Sequence, residues 1–122
     1  CATKGLMRVQ RSDGGFGDDE GPSHAFATAM ALTALMTRPD PVCDAAIDAA
    51  ACWLLEAQRG ARWGGVPILR IPRPMISVPE SEPLKEGALG TGVIICDQHR
   101  IFTTAACLAA LAGYRTAVSV RV

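Results

Sequence analysis

The spacing of apolar and polar residues predicts an all-α chain. Apolar residues recur every three or four positions, or form alanine-rich runs, in four stretches separated by turns rich in glycine and proline. The predicted helices cover about residues 2–10, 22–37, 40–58 and 100–112. The second is so rich in alanine that no face of it is bulky, which is typical of a helix surrounded by others. The third carries a single apolar stripe, formed by Ile47, Ala50, Leu54 and Ala57, and is amphipathic.

Three of these helices have end signals in the sequence. Ser23 is the predicted N-cap of the second helix. Asp40 followed by Pro41 predicts the start of the third, because proline suits the first helical position. Gly113 is the predicted C-cap of the fourth.

One turn sequence occurs twice, each time directly after a helix. Residues 10–17 read Gln-Arg-Ser-Asp-Gly-Gly-Phe-Gly, and residues 58–65 read Gln-Arg-Gly-Ala-Arg-Trp-Gly-Gly. A second self-match aligns the run that begins at Phe26 with the run that begins at Phe102. Self-similarity of this kind indicates repeated helical hairpins.

Glutamine at the end of a helix, then glycines and an aromatic residue, resembles the QW motif of the terpenoid-cyclase and protein-prenyltransferase superfamily, which includes squalene-cyclase-like proteins. The resemblance implies a partial α/α toroid with QW-like turns, although the first turn has phenylalanine where tryptophan is usual and the second lacks the aspartate. Physically, the glutamine can bond backbone groups of the turn and the glycines allow positive φ angles. The predicted structural turn residues are Gln10, Asp13, Gly14, Gly15, Phe16, Gln58, Trp63, Gly64 and Gly65.

The repeats are interrupted once. We expect a single partial toroid domain over 1–122, with repeats at about 4–21, 22–65 and 100–114 and a long proline-rich insertion at 66–99. The short first helix is expected to be the tail of an outer helix that begins outside this sequence. Five prolines exclude a continuous helix through most of the insertion, and the β-branched stretch 91–96 predicts a short strand. An insertion of this length is either a functional lid or edge, or a tolerated surface excursion.

Composition narrows the possible partners and compartments. Twelve basic and twelve acidic residues cancel, which argues against nucleic-acid binding. The longest apolar run, 25–36, is shorter than the roughly 20 residues that a membrane span needs. Five cysteines without a CxxC pair fit reduced thiols. We therefore expect a cytoplasmic protein without a membrane span.

The resemblance implies two kinds of chemistry, and each requires particular residues. Class II terpene cyclases use an aspartate of a DxDD motif as a protonated acid, but no DxDD occurs here. The acidic run 18–20 lies beside glycines and is predicted to be a solvated loop. Protein prenyltransferases hold zinc with Asp, Cys and His, and Cys96, Asp97 and His99 bring these residue types together. The simpler interpretation of those three residues is a turn ahead of a helix.

Arginines flank the second turn and the insertion. Arg59, Arg62, Arg70 and Arg73 are candidates for binding a diphosphate or an acidic partner, with surface solvation as the commoner role. The expected function is a noncatalytic toroid module, an interaction or ligand-binding part of a larger protein. The alternative is a fragment of an active terpene cyclase or prenyltransferase whose catalytic residues lie outside this chain. The expected partners are further repeats of a parent protein, another protein chain, or a prenyl-type or other small molecule.

Overall fold

The computed structural model of the protein describes residues 2–19, 21–65, 67–71, 93–97 and 99–121, and for 67–71 and 93–96 it describes the backbone alone. Within these residues the helices are α1 (Ala2–Val9), α2 (Ala25–Leu35), a 3-10 helix (Pro41–Cys43), α3 (Asp44–Ala57) and α4 (Ile101–Ser119). The strands β1 (Pro67–Ile71) and β2 (Val93–Cys96) lie between α3 and α4. The all-α prediction is confirmed, because helices form the body of the fold and the two strands belong to the insertion.

α2 begins at Ala25 because His24 caps it. The imidazole Nδ1 accepts the Ala27 N–H at 3.2 Å, and the backbone of His24 is extended, as is usual for an N-cap. The prediction that Ser23 is the N-cap was wrong. Its hydroxyl donates instead to Asp13 Oδ1 at 2.9 Å, a partner ten residues earlier that local pattern does not reveal.

The helical segment that contains α3 begins as predicted, with Asp40 as the N-cap and Pro41 as the first residue of the 3-10 helix that precedes α3. The Asp40 carboxylate accepts the Val42 N–H at 3.0 Å, and the first turn is a 3-10 turn that continues into the α-helix. The predicted apolar stripe is confirmed, since Ile47, Ala50 and Leu54 are buried.

The core lies between α2, α3 and α4. α2 packs most extensively against α4 and next against α3. Small side chains such as Ala29, Ala50 and Ala110 let the helix backbones approach closely, while larger buried side chains fill the space between the helices. Among the described residues, the largest apolar side chains that are fully buried, at less than 2% exposure, are Trp63, Leu32, Leu35 and Leu54.

The insertion contributes an antiparallel pair of strands. β2 pairs with β1 from Pro67 opposite Cys96 to Ile71 opposite Val93, with one irregularity near the start of β1. The strand predicted over 91–96 is therefore confirmed for Val93–Cys96. Residues 72–92 lie outside the described residues, so the choice between lid and surface excursion stays a prediction.

α4 is longer than the sequence predicts. It runs through Gly113 to Ser119, so the predicted C-cap at Gly113 was wrong. A Cβ at Gly113 would lie 3.1 Å from Cε of Met36, the residue that follows α2. The lack of a side chain at Gly113 therefore lets Met36 pack closely against α4. By length and hydropathy α4 meets the criteria for a membrane-spanning helix, contrary to the expected absence of such a segment, although the core helix of a soluble protein meets them too.

α2 and α4 bury residues at the same spacing, but the alignment of these buried positions is shifted by one residue from the sequence match of Phe26 with Phe102. Thr28, Leu32 and Leu35 are buried in α2, and Thr103, Cys107 and Ala110 are buried at the same spacing in α4. Phe102, which the self-match aligns with Phe26, is 65% exposed.

Candidate functional site

Gln10 closes the first turn (residues 10–17) and also joins it to α3. The Gln10 amide Nε2 donates to the carbonyl of Gly14 within the turn and to the carbonyl of Ala46 in α3, both at 2.9 Å. A single side chain thus holds the chain reversal closed and fixes it against α3. A glutamine suits this place because its amide carries two N–H donors.

Asp13 is the centre of hydrogen bonding in the first turn. Its carboxylate accepts the Gly15 N–H at 2.9 Å, the Ser23 hydroxyl at 2.9 Å and the Trp53 indole N–H at 3.1 Å. The Gly15 bond does most to hold the pKa of Asp13 below its usual range, against the opposing effect of partial burial. Asp13 is therefore an ionised structural group that connects the turn to α2 and α3.

Two glycines of this turn occupy places where a side chain does not fit. Gly14 has a φ of +88°, and a Cβ there would lie 2.7 Å from the carbonyl oxygen of Ala49. A Cβ at Gly15 would lie 2.6 Å from Ser23 Cβ. The buried Phe16 follows, and its N–H donates to Thr28 Oγ1 at 3.0 Å.

The second turn (residues 58–65) uses the same residue types with different contacts. Gln58 Nε2 donates to the carbonyl of Gly60 at 2.8 Å, and Gly60 takes the positive φ of +61°. Trp63 is 1% exposed, and its indole N–H donates to the carbonyl of Leu54 at 2.7 Å. The aromatic ring thus covers the C-terminal end of α3.

The last glycines of the second turn lie in unlike surroundings. Gly64 has open space around its Cα, whereas a Cβ at Gly65 would lie 2.7 Å from the carbonyl oxygen of Asp97. This close approach brings the end of the second turn against the segment that precedes α4.

Asp97 caps the N-terminus of α4. It is buried, and its Oδ2 accepts the Thr103 N–H at 2.7 Å. Burial opposes ionisation, but the backbone N–H groups of Thr103, Phe102 and Ile101 outweigh it and hold the pKa of Asp97 below its usual range. An aspartate shortly before a predicted helix is the sequence signal for this role.

The predicted zinc ligands do not form a ligand set among the described side chains. The Asp97 carboxylate faces α4, His99 is exposed, and only the backbone of Cys96 is described. No group of three His, Cys, Asp or Glu side chains in the described part of the chain is placed to hold a metal ion. The geometry of Asp97 favours the turn ahead of a helix over the zinc site.

The predicted arginine cluster is only partly visible. Arg59 donates to the carbonyls of Glu56 and Gln58 at the end of α3, at 2.8 and 3.0 Å. Arg62 is exposed and pairs with Arg59 through the backbone. The Arg70 backbone lies in β1, and Arg73 lies outside the described residues. The hydrogen bonds of the Arg59 side chain therefore go to carbonyls at the C-terminal end of α3.

A cavity of about 870 Å³, which sequence patterns did not predict, lies at the ends of α2 and α4 and the start of α3. Its wall includes Met36, Ile47 and Val120, with Asp44 and Arg121 contributing charge. These residues come from three helices distant in sequence, so only tertiary structure brings them together.

The charged side chains beside this cavity pair with one another. Arg121 lies 2.7 Å from Asp48 Oδ1 and 3.4 Å from Asp44 Oδ1. The Tyr114 hydroxyl donates to the same Asp48 oxygen at 3.1 Å, and burial followed by this contact raises the pKa of Tyr114. The cluster fastens the end of α4 to the start of α3.

Comparisons with known proteins agree with the helical architecture. No family model and no curated protein sequence matches the chain. Among solved structures, the chain is similar to a variant of the type II terpene cyclase MstE from Scytonema, in complex with geranylgeranyl dihydroxybenzoate as substrate. The TM-score is 0.78 at 30% sequence identity, over 95% of this chain and 36% of that one. The chain spans little more than a third of the length of the cyclase it matches, and its fold is that of a terpene-cyclase-like helical module.

Proposed function

We propose that this chain is a wall segment of a type II terpene-cyclase-like protein, and that it supports a cavity for a terpenoid substrate. The observation that carries the proposal is the match of nearly the whole chain, at 30% identity, to part of a type II terpene cyclase. The function expected first from the sequence, a noncatalytic interaction or ligand-binding module, would have the same helices without turning over a terpenoid substrate.

Two aspartates of this chain have structural roles, which separates them from the acid that would protonate the substrate. The resemblance implies an acid that stays protonated until it meets an alkene. Asp13 and Asp97 are both held ionised by hydrogen bonds, and the sequence contains no DxDD motif. We therefore assign these two aspartates to structure and place the protonating acid in another part of the protein.

The exposed faces of α2 and α4 support a role as cavity wall. At 100° per residue, Met30 lies opposite the buried side of α2, and it is 53% exposed. On α4, Phe102 and Leu108 are 65% and 56% exposed. Neither 25–37 nor 101–114 contains a charged residue, so both exposed faces suit contact with hydrocarbon better than with water.

The test is photolabelling of the protein in its native host, so that any further polypeptide is retained. The probe is a photoreactive analogue of geranylgeranyl dihydroxybenzoate, and labelled peptides are identified by mass spectrometry. We expect labels on the peptides that contain Met30 and Phe102. Met30→Asp and Phe102→Asp are expected to reduce labelling about tenfold, because a carboxylate is costly in a site that holds hydrocarbon.

Leu55→Asp is the matched control, because Leu55 is an equally exposed apolar residue, at 54%, on α3. Labelling is expected to be unchanged in this variant. Equal labelling of all three variants and the wild type, or no labelling of α2 and α4, would contradict the proposal. If the aspartates on α2 and α4 instead release another polypeptide, seen as a fall in native mass, those faces are protein interfaces and the noncatalytic module gains support.

A further inference from the structure

His24 joins the first turn to α2 through three groups. Its backbone N–H donates to the carbonyl of Phe16 at 2.9 Å, and its own carbonyl accepts the Thr28 N–H at 3.1 Å. Its imidazole Nδ1 accepts the Ala27 N–H at 3.2 Å and is the only side-chain cap of α2 among the described residues. The first turn of α2 therefore depends on this one imidazole.

The cap requires an uncharged imidazole. A neutral imidazole has one nitrogen that accepts and one that donates, and because Nδ1 accepts here, the proton is on Nε2. A second proton has to bind Nδ1, which then becomes a donor and can no longer accept the Ala27 N–H. A positive charge at a helix N-terminus is also opposed by the helix dipole.

One contact, with Asp18, favours the charged form of the imidazole. Nε2 is buried and has no hydrogen-bond acceptor among the residues that the structure describes, and Asp18 Oδ1 lies 3.6 Å away. The Asp18 side chain is 86% exposed, so its attraction for a charged imidazole is screened by water.

The other groups around His24 in the described part of the chain do not provide an acceptor. Arg11 lies across the same loop and donates to the carbonyls of Asp18 and Gly21. From α4, the Cys107 thiol lies 3.7 Å from the carbonyl of Ala25, and burial raises its pKa to about 12, so it stays neutral. Loss of the cap is therefore the main consequence of protonation.

We propose that the junction between the first turn and α2 is a pH-sensitive joint, in which protonation of His24 removes the cap of α2 and loosens the start of that helix. The joint is independent of any terpenoid activity, because it depends only on the contacts of His24. Histidine is the side chain that ordinarily changes charge between pH 5 and 8.

The test is hydrogen exchange of the Ala27 amide at pH 7.5 and pH 5.5, resolved by overlapping peptides and corrected for the intrinsic effect of pH. His24→Asn is the matched variant, because asparagine caps helices and does not titrate. The wild type and the variant are expected to be equally protected at pH 7.5. At pH 5.5 the wild type is expected to exchange about fivefold faster than the variant, the factor that a lost N-cap corresponds to.

A second capping variant and an Asp18 variant complete the experiment. His24→Ser is expected to behave like His24→Asn, and Asp18→Asn is expected to keep the pH response of the wild type. Equal pH responses in the wild type and both capping variants would overturn the proposal. Loss of the response in Asp18→Asn would overturn it as well, because the carboxylate and not the cap would then be the sensor.

Discussion

Gly14 offers the sharpest test of how the first turn is built. Gly14→Ala places a methyl group 2.7 Å from the Ala49 carbonyl oxygen and 3.0 Å from its carbonyl carbon. Both atoms belong to the backbone of α3, which cannot rotate away as a flexible side chain does. The substitution also forces a residue with a Cβ to keep a φ of +88°.

The free-energy cost of Gly14→Ala has two contributions, backbone strain and overpacking, and Gly60→Ala measures the strain alone. Gly60 also has a positive φ, of +61°, but nothing lies within 4 Å of a Cβ there. Gly60→Ala therefore costs only the conformational strain of about 1–2 kcal/mol, less some 0.4–1 kcal/mol gained from a stiffer unfolded chain. Gly14→Ala adds overpacking of about 1–3 kcal/mol against α3.

Thermal unfolding followed by circular dichroism compares the two variants. At roughly 4 °C per kcal/mol, Gly60→Ala is expected to lower Tm by at most about 6 °C, and Gly14→Ala by about 4–12 °C more than Gly60→Ala. Equal shifts in the two variants would refute the close approach of the first turn to α3. A Gly14→Ala protein as stable as the wild type would refute the assigned backbone geometry as well.

Three further predictions concern buried groups. Trp63→Phe leaves the Leu54 carbonyl without its indole donor and is expected to cost about 1–3 kcal/mol in chemical denaturation; an unchanged midpoint would contradict the bond. Because the folded pKa of Asp97 is lowered, its contribution to stability is present above the usual aspartate value of about 3.9 and is lost as pH falls through the lowered pKa. Tm measured from pH 5 to pH 3 should thus fall less in Asp97→Asn than in the wild type, and identical profiles would count against the cap. Iodoacetamide at pH 8 is expected to modify the exposed Cys52 and to leave Cys107, whose pKa is raised to about 12, unmodified until unfolding, as peptide mass spectrometry would show.

Local sequence signals were sufficient where the interactions are local. The 3-10 helix that leads into α3 depends on Asp40, Pro41 and the amide two residues after the aspartate, and all three are adjacent in sequence. The buried stripe of α3 follows from the helical period alone. The β-branched residues of 93–96 likewise favour the strand that they form.

Predictions were wrong where a distant residue changed the outcome. Ser23 is a good N-cap by type, but Asp13 accepts its hydroxyl and leaves the cap to His24. Gly113 has the usual residue type of a C-cap, but it faces Met36 inside a continuing helix. Such competition between local preference and tertiary packing is not encoded in the spacing of residues.

In the candidate site too, residues with a local sequence signal were predicted, and residues that only tertiary structure brings together were not. The turn residues were predicted from their repetition, and Asp97 was considered both as a metal ligand and as a residue of the turn before α4. The cavity at the helix ends and the cluster around Arg121 were missed, because the cavity is lined by three helices and the cluster joins residues of α3 to residues that lie 66 to 73 positions later at the end of α4.

Turnover of geranylgeranyl dihydroxybenzoate by the protein from its native host tests the central claim most directly. Cyclisation started by protonation and ended by proton loss conserves mass, so the product is an isomer with fewer alkene signals in its NMR spectrum. We expect such an isomer, and we expect Phe102→Asp to reduce its rate of formation while Leu55→Asp does not. Substrate recovered unchanged from protein that binds it, or a rate equally insensitive to both substitutions, would contradict the assignment of this chain to the wall of a terpene-cyclase cavity.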